Sequence, residues 1–250
     1  MTVVIEDIKS LLAFYHALGF ENLPITVRAA GRRLPGLVMK KYCTEEISQS
    51  LPADQTGDKH ALLRELREQI GDCQQCNLSK KRNTIVFGAG NPEARLMFIG
   101  EAPGKEEDLQ GQPFVGEAGM LLTRLIEKMG MRRDDVYIAN IVKCRPPMNR
   151  DPEEDEIAAC RGFINKQISI IRPAVIMILG RIALQVLMNS PKLKITSARG
   201  HFLDYEGIPV MPTFHPAYLL RNPQDKMLTW SDAQKVLIRL GSLAAHRFEG

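Results

Sequence analysis

The stretch that decides the fold is Arg95–Gly100, RLMFIG, a short apolar run that ends on a glycine. Three similar runs follow it: Val136–Val142 (VYIANIV), Ala174–Gly180 (AVIMILG) and Ile208–Phe214 (IPVMPTF). Helical stretches separate the runs, at Ala118–Met129, Glu153–Ile171 and Arg181–Met188, and Trp230–Leu240 supplies a last helix. Continuous apolar strands that alternate with helices predict a parallel sheet covered on both faces. We therefore expect an α/β fold with a central parallel four-stranded sheet.

The composition fits a globular protein. The chain has 250 residues, of which 44% are hydrophobic and 25% charged, enough to bury a core. No apolar run approaches the roughly 20 residues that cross a bilayer, and the N-terminus lacks a secretion signal, so we expect no membrane contact and a cytoplasmic location. The net charge of +4 falls entirely on residues 71–250, since residues 1–70 hold nine basic and nine acidic side chains. Such an excess permits nucleic-acid binding without requiring it.

Residues 1–70 are predicted to form an N-terminal helical extension and linker. An amphipathic helix is expected at residues 5–18, with one apolar stripe formed by Ile5, Ile8, Leu12 and Tyr15. A second helix is expected at Lys59–Ile70, and the polar segment Thr44–Asp58 between them indicates a flexible linker. Residues 71–250 are expected to form the main domain.

Four of the five cysteines suggest a metal centre. Cys73 and Cys76 form a CxxC, which lets two thiolates converge from one turn, and the distant Cys144 and Cys160 can complete a tetrahedral set. Zinc and a cubane iron–sulfur cluster are both candidates. The alternative is a redox CxxC with two buried cysteines elsewhere. Basic residues follow Cys76 and flank Cys144, which would offset thiolate charge. Cys43 has no such partner, lies in the linker and is interpreted as a spare thiol.

Polar and glycine-rich segments follow three of the predicted strands, at residues 100–108, 140–145 and 215–222. Ligands of parallel α/β sheets bind outside the carboxyl ends of the strands. In the first segment, Gly100-Glu101-Ala102-Pro103-Gly104 can bring backbone amides close to an oxygen-rich ligand, although a tight strand-to-helix turn explains it equally well. Asn140 carries a donor and an acceptor side by side, which suits the edge of a nucleobase, and a turn residue is the alternative.

The segments around Phe114 and His215 complete this set. Phe114 lies in a Pro/Gly-rich loop and either stacks on a planar base or fills the core. His215 ends the fourth strand and begins HPAYLLRNP, in which we expect Leu219 and Leu220 to be exposed at the tip beside Arg221. Exposed leucines beside an arginine suit a wedge that enters a duplex, and a loop that packs on the core is the alternative.

Together these segments resemble the family-4 uracil-DNA glycosylases, the iron–sulfur branch of that superfamily. The matching motifs are CxxCxL, GEAPGxxED, GxPFVGxAG, NIVKCRPP, the late Cys160 and HPAYLLRNP, in the family's order between about residues 71 and 240. The resemblance implies a three-layer α/β/α fold, a [4Fe-4S] cluster on Cys73, Cys76, Cys144 and Cys160, and removal of uracil from DNA. A related branch that traps its product covalently has GEQPG and a histidine-bearing insertion. Ala102 and the histidine-free NIVKCRPP argue against that branch here.

The resemblance also implies roles for individual residues. The enzyme flips uracil out of the stack, and the wedge formed by Leu219 or Leu220, with Arg221, fills the gap. Phe114 stacks on the base, Asn140 reads O4 and N3–H, and His215 donates to O2. The Glu101–Ala102 backbone contacts the base, and Glu107 crowds C5 to exclude thymine. Related glycosylases that place an aspartate in this loop have it where Ala102 stands here, so we interpret Glu101, the nearest carboxylate, as the catalytic residue that activates water.

The expected partner is uracil-containing DNA, single- or double-stranded, bound by a monomer. A non-catalytic iron–sulfur module that binds DNA or senses redox state is the alternative function. Such a module would need the cysteines and a basic face, but it would not need Phe114, Asn140 and His215 to converge on one pocket.

Overall fold

A computed structural model of the chain describes residues 58–245, with side chains through residue 241. The helix predicted at residues 5–18, Cys43 and the predicted linker up to residue 57 lie outside the described residues. Within residues 58–245, no helix combines the length and the apolar character that a membrane span requires.

A six-stranded sheet lies at the centre of the fold. Its strands are β1 (Ala89–Gly90), β2 (Leu96–Gly100), β3 (Tyr137–Asn140), β4 (Val175–Leu179), β5 (Leu203–Tyr205) and β6 (Ile208–Thr213), in the order β1-β3-β2-β4-β6-β5. The predicted parallel core of four strands, β3-β2-β4-β6, is confirmed. The sheet is wider than predicted, because β1 and β5 add short antiparallel edges. These edges are two and three residues long and partly exposed, so they leave no apolar run in the sequence.

Eight α-helices are present in the described residues, and the predicted ones are confirmed to within a few residues at most ends. Their bounds are α1 (Lys59–Ile70), α2 (Lys105–Gln110), α3 (Glu117–Lys128), α4 (Glu154–Ile171), α5 (Arg181–Leu187), α6 (Ile195–Ala198), α7 (Pro216–Arg221) and α8 (Lys226–Ala245). The short helices α2, α6 and α7 were not predicted, since four to six residues are too few to show a helical apolar period.

The core has two halves, one on each face of the sheet. Alternate strand residues point to opposite faces, so Ile99 and Ile178 lie in one half while Phe98 and Met177 lie in the other. The first half is closed by side chains from α1, α4 and α5, and the second by side chains from α3 and α8. The predicted three-layer α/β/α architecture is therefore confirmed.

Helix α1 packs on the body of the fold. Asp58 caps its N-terminus by accepting a hydrogen bond from the amide of His60, and Leu63 and Ile70 are buried in the first half of the core. The Nζ of Lys59 also donates to the carbonyl of Ile171 at the end of α4, 3.0 Å away. This helix thus shares a core with the sheet, while the predicted division of the chain after residue 70 stays a prediction.

Candidate active site

A cavity of about 480 Å³ lies at the carboxyl ends of the parallel strands and receives residues from all three predicted segments. This volume is within the range that small-molecule sites occupy. All six residues predicted to contact the base line it: Glu101, Ala102, Glu107, Phe114, Asn140 and His215. Sequence reasoning missed another part of its wall, formed by Pro146, Asn149, Arg150 and Tyr218.

Gly100 and Asn140 meet at the edge of the sheet where the cavity lies, and Asn140 lines the cavity. They are register partners at the ends of β2 and β3, and the parallel pairing continues beyond them, since the amide of Ile141 donates to the carbonyl of Gly100. A Cβ at position 100 would lie 2.5 Å from both the Oδ1 of Asn140 and the Cζ of Phe114. Glycine is needed here because two site side chains approach its Cα closely.

Asn140 is 1% exposed, and its Oδ1 has no hydrogen-bond partner. In the part of the chain that the structure describes, it is the only buried side-chain oxygen or nitrogen atom without one. Buried acceptors are nearly always paired, because an unpaired one loses its hydration without compensation. An acceptor of this kind in a ligand-sized cavity indicates that the ligand supplies the donor.

The backbone of Asn140 is held by a buried network that the sequence did not reveal. The Nζ of Lys143 donates to the carbonyl of Asn140 at 2.8 Å and to the Oε1 of Gln167 at 2.6 Å. Gln167 in turn donates to the carbonyl of Phe87 and to the hydroxyl of Tyr137. The sequence hint of this network was Gln167, a polar residue on the face of α4 that is buried, because a buried amide needs hydrogen-bond partners.

Phe114 is held at the cavity by close backbone packing. Its φ of 53° is in the left-handed region, and its ring centroid lies 5.6 Å from that of His215. A Cβ at Gly119 would lie 2.0 Å from the carbonyl carbon and oxygen of Phe114, so the start of α3 packs directly on this residue. The ring position is thus set by the surrounding chain before any ligand binds.

Glu107 ties the loop of Phe114 to the GEAPG loop. Its Oε1 accepts hydrogen bonds from the amides of Val115 and Gly116, at 2.8 and 2.9 Å, and its Oε2 accepts one from the amide of Gly104 at 3.1 Å. The carboxylate lines the cavity, and the structure gives it this positioning role. Exclusion of thymine by Glu107 stays a prediction.

His215 lies at the end of β6 and caps α7. Its Nδ1 accepts a hydrogen bond from the amide of Ala217, 3.1 Å away. Burial lowers the pKa of His215 to about 4, against an opposing contribution from Glu107. The side chain is therefore neutral at pH 7. With Nδ1 acting as an acceptor, the proton is on Nε2, which leaves that nitrogen as a hydrogen-bond donor.

Glu101 and Ala102 lie on the cavity wall next to the end of β2. Burial raises the pKa of Glu101 to about 7; Asp151 raises it further and Arg181 lowers it. A carboxyl with this pKa changes its charge in the physiological range, which is typical of groups that act in catalysis.

The two leucines of the HPAYLLRNP segment do not behave alike. Leu220 is 39% exposed, but Leu219 is only 4% exposed and lines a separate apolar cavity with Phe214 and Trp230. The prediction that both are exposed at a loop tip is therefore wrong for Leu219. The segment is the helix α7 rather than a loop, and successive helical residues point about 100° apart. Arg221 is exposed and lines the edge of the main cavity, so it and Leu220 stay candidates for DNA contact.

The four predicted ligand cysteines, Cys73, Cys76, Cys144 and Cys160, line a second, small cavity, although they come from distant parts of the chain. All four are free thiols, and Arg82 and Lys143 line the same cavity. The Nη1 of Arg82 lies 3.5 Å from the sulfur of Cys144. In residues 58–245, no group of three or more His, Cys, Asp or Glu side chains is arranged to hold a metal ion. The clustering and the two cations nevertheless fit a centre of negatively charged thiolates, while the ligand set stays a prediction.

Comparison with known proteins places this geometry in a family. The profile of the uracil DNA glycosylase superfamily matches residues 87–237, which is more than half of the chain. The chain belongs to the uracil-DNA glycosylase superfamily. The type-4 uracil-DNA glycosylase of Thermotoga maritima is 48% identical over 170 residues, which cover 68% of this chain and 88% of the relative.

Two further type-4 glycosylases are 48% and 41% identical to this chain. The enzyme of Saccharolobus solfataricus is 48% identical over 71% of this chain and 86% of its own length. That of Archaeoglobus fulgidus is 41% identical over 70% of this chain and 91% of its own length. The resemblance to family 4 that the motifs predicted is thereby confirmed. The glycosylase profile covers residues 87–237 and ends within α8. All residues that line the main cavity lie between positions 101 and 221, so the profile contains them all.

Proposed function

We propose that this protein is a uracil-DNA glycosylase, which hydrolyses the N-glycosidic bond of deoxyuridine in DNA and leaves an abasic site for base excision repair. The observation that supports this best is the unpartnered, buried Oδ1 of Asn140 in a cavity that Phe114 and His215 also line. The similarity to type-4 enzymes at 41–48% identity points the same way.

Asn140 explains how uracil is distinguished from cytosine. The ring N3–H of uracil donates to Oδ1, and its O4 accepts from the amide nitrogen of the same side chain. Cytosine presents an acceptor at N3 and a donor at N4, so it opposes this amide with two like pairs. Each well-formed bidentate pair discriminates by about 1–3 kcal/mol. Since Gly100 and Phe114 confine the side chain, and the bond from Lys143 holds its backbone, the position of the amide is fixed.

His215 and Glu101 act on the two charges that form as the bond breaks. The bond between C1′ and N1 lengthens, its electron pair moves onto the uracil ring, and positive charge develops on the sugar. The Nε2–H of neutral His215 donates to O2 and stabilises the departing uracil anion. The Glu101 carboxylate stabilises the sugar cation and orients a water whose oxygen bonds to C1′. The proton lost by that water balances the charge of the released base.

Phe114 and Glu107 prepare the cavity for the base. The ring of Phe114 stacks on uracil, and its loop needs no rearrangement because Glu107 already holds the adjacent amides. Pre-formed geometry of this kind reduces the ordering cost of binding. Residues of α7, Leu220 and Arg221, contact the DNA next to the flipped nucleotide.

We further propose that Cys73, Cys76, Cys144 and Cys160 hold a [4Fe-4S] cluster. Such a cluster would link the start of the domain to the segment after β3 and to α4. Hydrolysis needs no redox step, so we propose a structural role for the cluster. The positive side chains of Arg82 and Lys143 at the cysteine cavity offset its negative charge. A repair enzyme has to reach the DNA of the cell, and we therefore propose a cytoplasmic location. We also propose that the protein acts as a monomer on single- or double-stranded DNA.

The alternative, a non-catalytic DNA-binding or redox module, gives no reason for the cavity. Phe114, Asn140 and His215 have no need to share one pocket in such a protein, yet all three line it. This convergence favours the enzyme.

The variant Asn140→Asp tests the proposal. It removes the donor and keeps acceptors, so uracil loses its partner at O4 while cytosine gains one for N4–H. We expect uracil excision to fall sharply and weak cytosine excision to begin, measured by single-turnover cleavage of oligonucleotides with either base. Asn91→Asp is the matched control, because Asn91 uses its Oδ1 to accept from the amide of Glu93 and a carboxylate preserves that bond. Unchanged uracil excision by Asn140→Asp would remove Asn140 from the site.

A further inference from the structure

We propose that Met148 is an additional DNA-contacting residue, which inserts into the duplex beside the flipped nucleotide. This inference rests on the proposed function. It concerns the segment Pro146–Arg150, of which the motif NIVKCRPP contains only the two prolines and to which no role has been assigned above.

Met148 is 93% exposed, more than any other large hydrophobic residue within the described part of the chain. Single exposed hydrophobic residues are common on protein surfaces and need no explanation by themselves. The backbone of Met148 is what makes this one unusual.

Met148 has φ 54° and ψ 20°, and Asn149 after it also has φ 54°. The left-handed region disfavours side chains with a Cβ, and glycine would adopt it freely. A solvated methionine makes no packing contact that would compensate for this strain. Strained residues of this kind persist mainly at functional sites, which suggests that Met148 is retained for a contact outside the protein.

The turn that presents Met148 is held firmly. The amides of Asn149 and Arg150 donate to the carbonyls of Pro146 and Pro147, each at 3.1 Å. The Nε of Arg145 donates to the Oδ1 of Asn149 at 2.8 Å. The methionine is thus displayed by a fixed turn.

The base of the turn is anchored by an ion pair. The two Nη atoms of Arg150 donate to the two carboxylate oxygens of the buried Glu156, at 2.8 and 2.7 Å. A bidentate pair with a fixed carboxylate restricts the arginine side chain strongly. The turn therefore has little freedom to withdraw when a ligand approaches.

The position of the turn identifies duplex DNA as the occupant. Pro146, Asn149 and Arg150 line the cavity, so the exposed Met148 lies between lining residues in the chain, beside the site that would receive the flipped nucleotide. Within residues 145–150, RPPMNR, Arg150 is neutralised by its pair with Glu156, so Arg145 is the residue of the turn whose charge suits the phosphates next to that nucleotide. A flexible, polarisable methionine is among the apolar side chains that proteins insert between base pairs.

The consequence is specific to double strands. A flipped base leaves a gap in a duplex that an inserted side chain fills, whereas a single strand has no such gap. Met148 should therefore assist excision from duplex DNA and be dispensable on single-stranded DNA.

The test uses Met148→Gly and Met148→Ala in the full chain. Both remove the long side chain, but only glycine relieves the backbone strain. Single-turnover excision is measured on one uracil oligonucleotide, single-stranded and annealed, with 2-aminopurine next to the uracil to report unstacking. Met227→Ala, at an exposed methionine of α8, is the matched control.

We expect both variants to lose about tenfold in rate and in the unstacking signal on the duplex, with single-strand rates unchanged. The Tm of Met148→Gly should rise by about 2–4 °C, while that of Met148→Ala stays near the original value. Equal losses on both substrates, or no loss on the duplex, would overturn the inference. If the proposed function were wrong, the unaltered protein would not excise uracil from single strands either. Excision from single strands by the unaltered protein therefore distinguishes a failure of this inference from a failure of the proposed function.

Discussion

Replacing Gly100 by alanine should disable the uracil site while leaving the protein folded. The added Cβ would lie 2.5 Å from both the Oδ1 of Asn140 and the Cζ of Phe114, about 0.9 Å inside the 3.4 Å at which ordinary van der Waals contact begins. Both clashing atoms lie at the ends of side chains, so the clash is relieved when these side chains move into the cavity, away from the positions described for base binding. The backbone of Asn140 is bonded to Lys143, and the backbone of Phe114 packs on Gly119.

A displacement of nearly 1 Å in positioning groups costs about 100-fold in rate. This factor corresponds to about 2.7 kcal/mol of transition-state stabilisation. The cost in stability is smaller. Overpacking costs about 1–3 kcal/mol, and the reduced freedom of the unfolded chain offsets about 0.5–1 kcal/mol of it. Because the φ of Gly100 is outside the left-handed region, alanine adds no backbone strain.

The assay is single-turnover excision from a single-stranded uracil oligonucleotide, with thermal unfolding followed in parallel. Gly162→Ala is the matched control, since a Cβ at that position of α4 meets nothing within 4 Å. The control should keep full activity with a slightly higher Tm. A folded Gly100→Ala protein with undiminished excision would refute the reasoning that Asn140 and Phe114 act from the positions described.

Two further predictions concern charge and metal content. Since burial raises the pKa of Glu101 to about 7 and the carboxylate form acts, the single-turnover rate should rise about tenfold per pH unit below pH 7 and level off above it. Glu101→Gln should flatten that profile at a low rate, whereas a profile of the unaltered protein that is level from pH 5 to 8 would contradict the assignment. Purified protein should be brown with about four irons per chain, and Cys73→Ala should lose them while Cys43→Ala retains them. A colourless protein with one zinc per chain would disprove the cluster.

The sequence revealed the parallel core because each buried strand is a continuous apolar run. Arg95–Gly100 and Ala174–Gly180 match β2 and β4 closely, since both faces of these strands are covered by helices. The edge strands β1 and β5 carry no such signal. Their existence depends on neighbours that are distant in the chain, such as the pairing of Ala89 with Ile138.

The residues of the cavity were also predictable, but their supporting contacts were not. Asn140 and His215 end strands, and ligands of parallel sheets bind at that edge. Glu107 was expected to face the base, but its oxygens are occupied by three backbone amides, a contact that local sequence does not encode. Leu219 was expected to be exposed because HPAYLLRNP looks like a loop, whereas the cap from His215 begins a helix there that turns Leu219 inward.

We propose that the cavity selects uracil and that its residues break the bond between uracil and the sugar. The most direct measurement incubates the purified protein with three oligonucleotides that differ only in carrying uracil, thymine or cytosine at one position. Free base and alkali-labile abasic sites are then quantified. We expect release of uracil and, after alkali treatment, strand cleavage at that position alone, with neither thymine nor cytosine released. Binding of the uracil oligonucleotide without any release of base would contradict it and favour a non-catalytic DNA-binding protein.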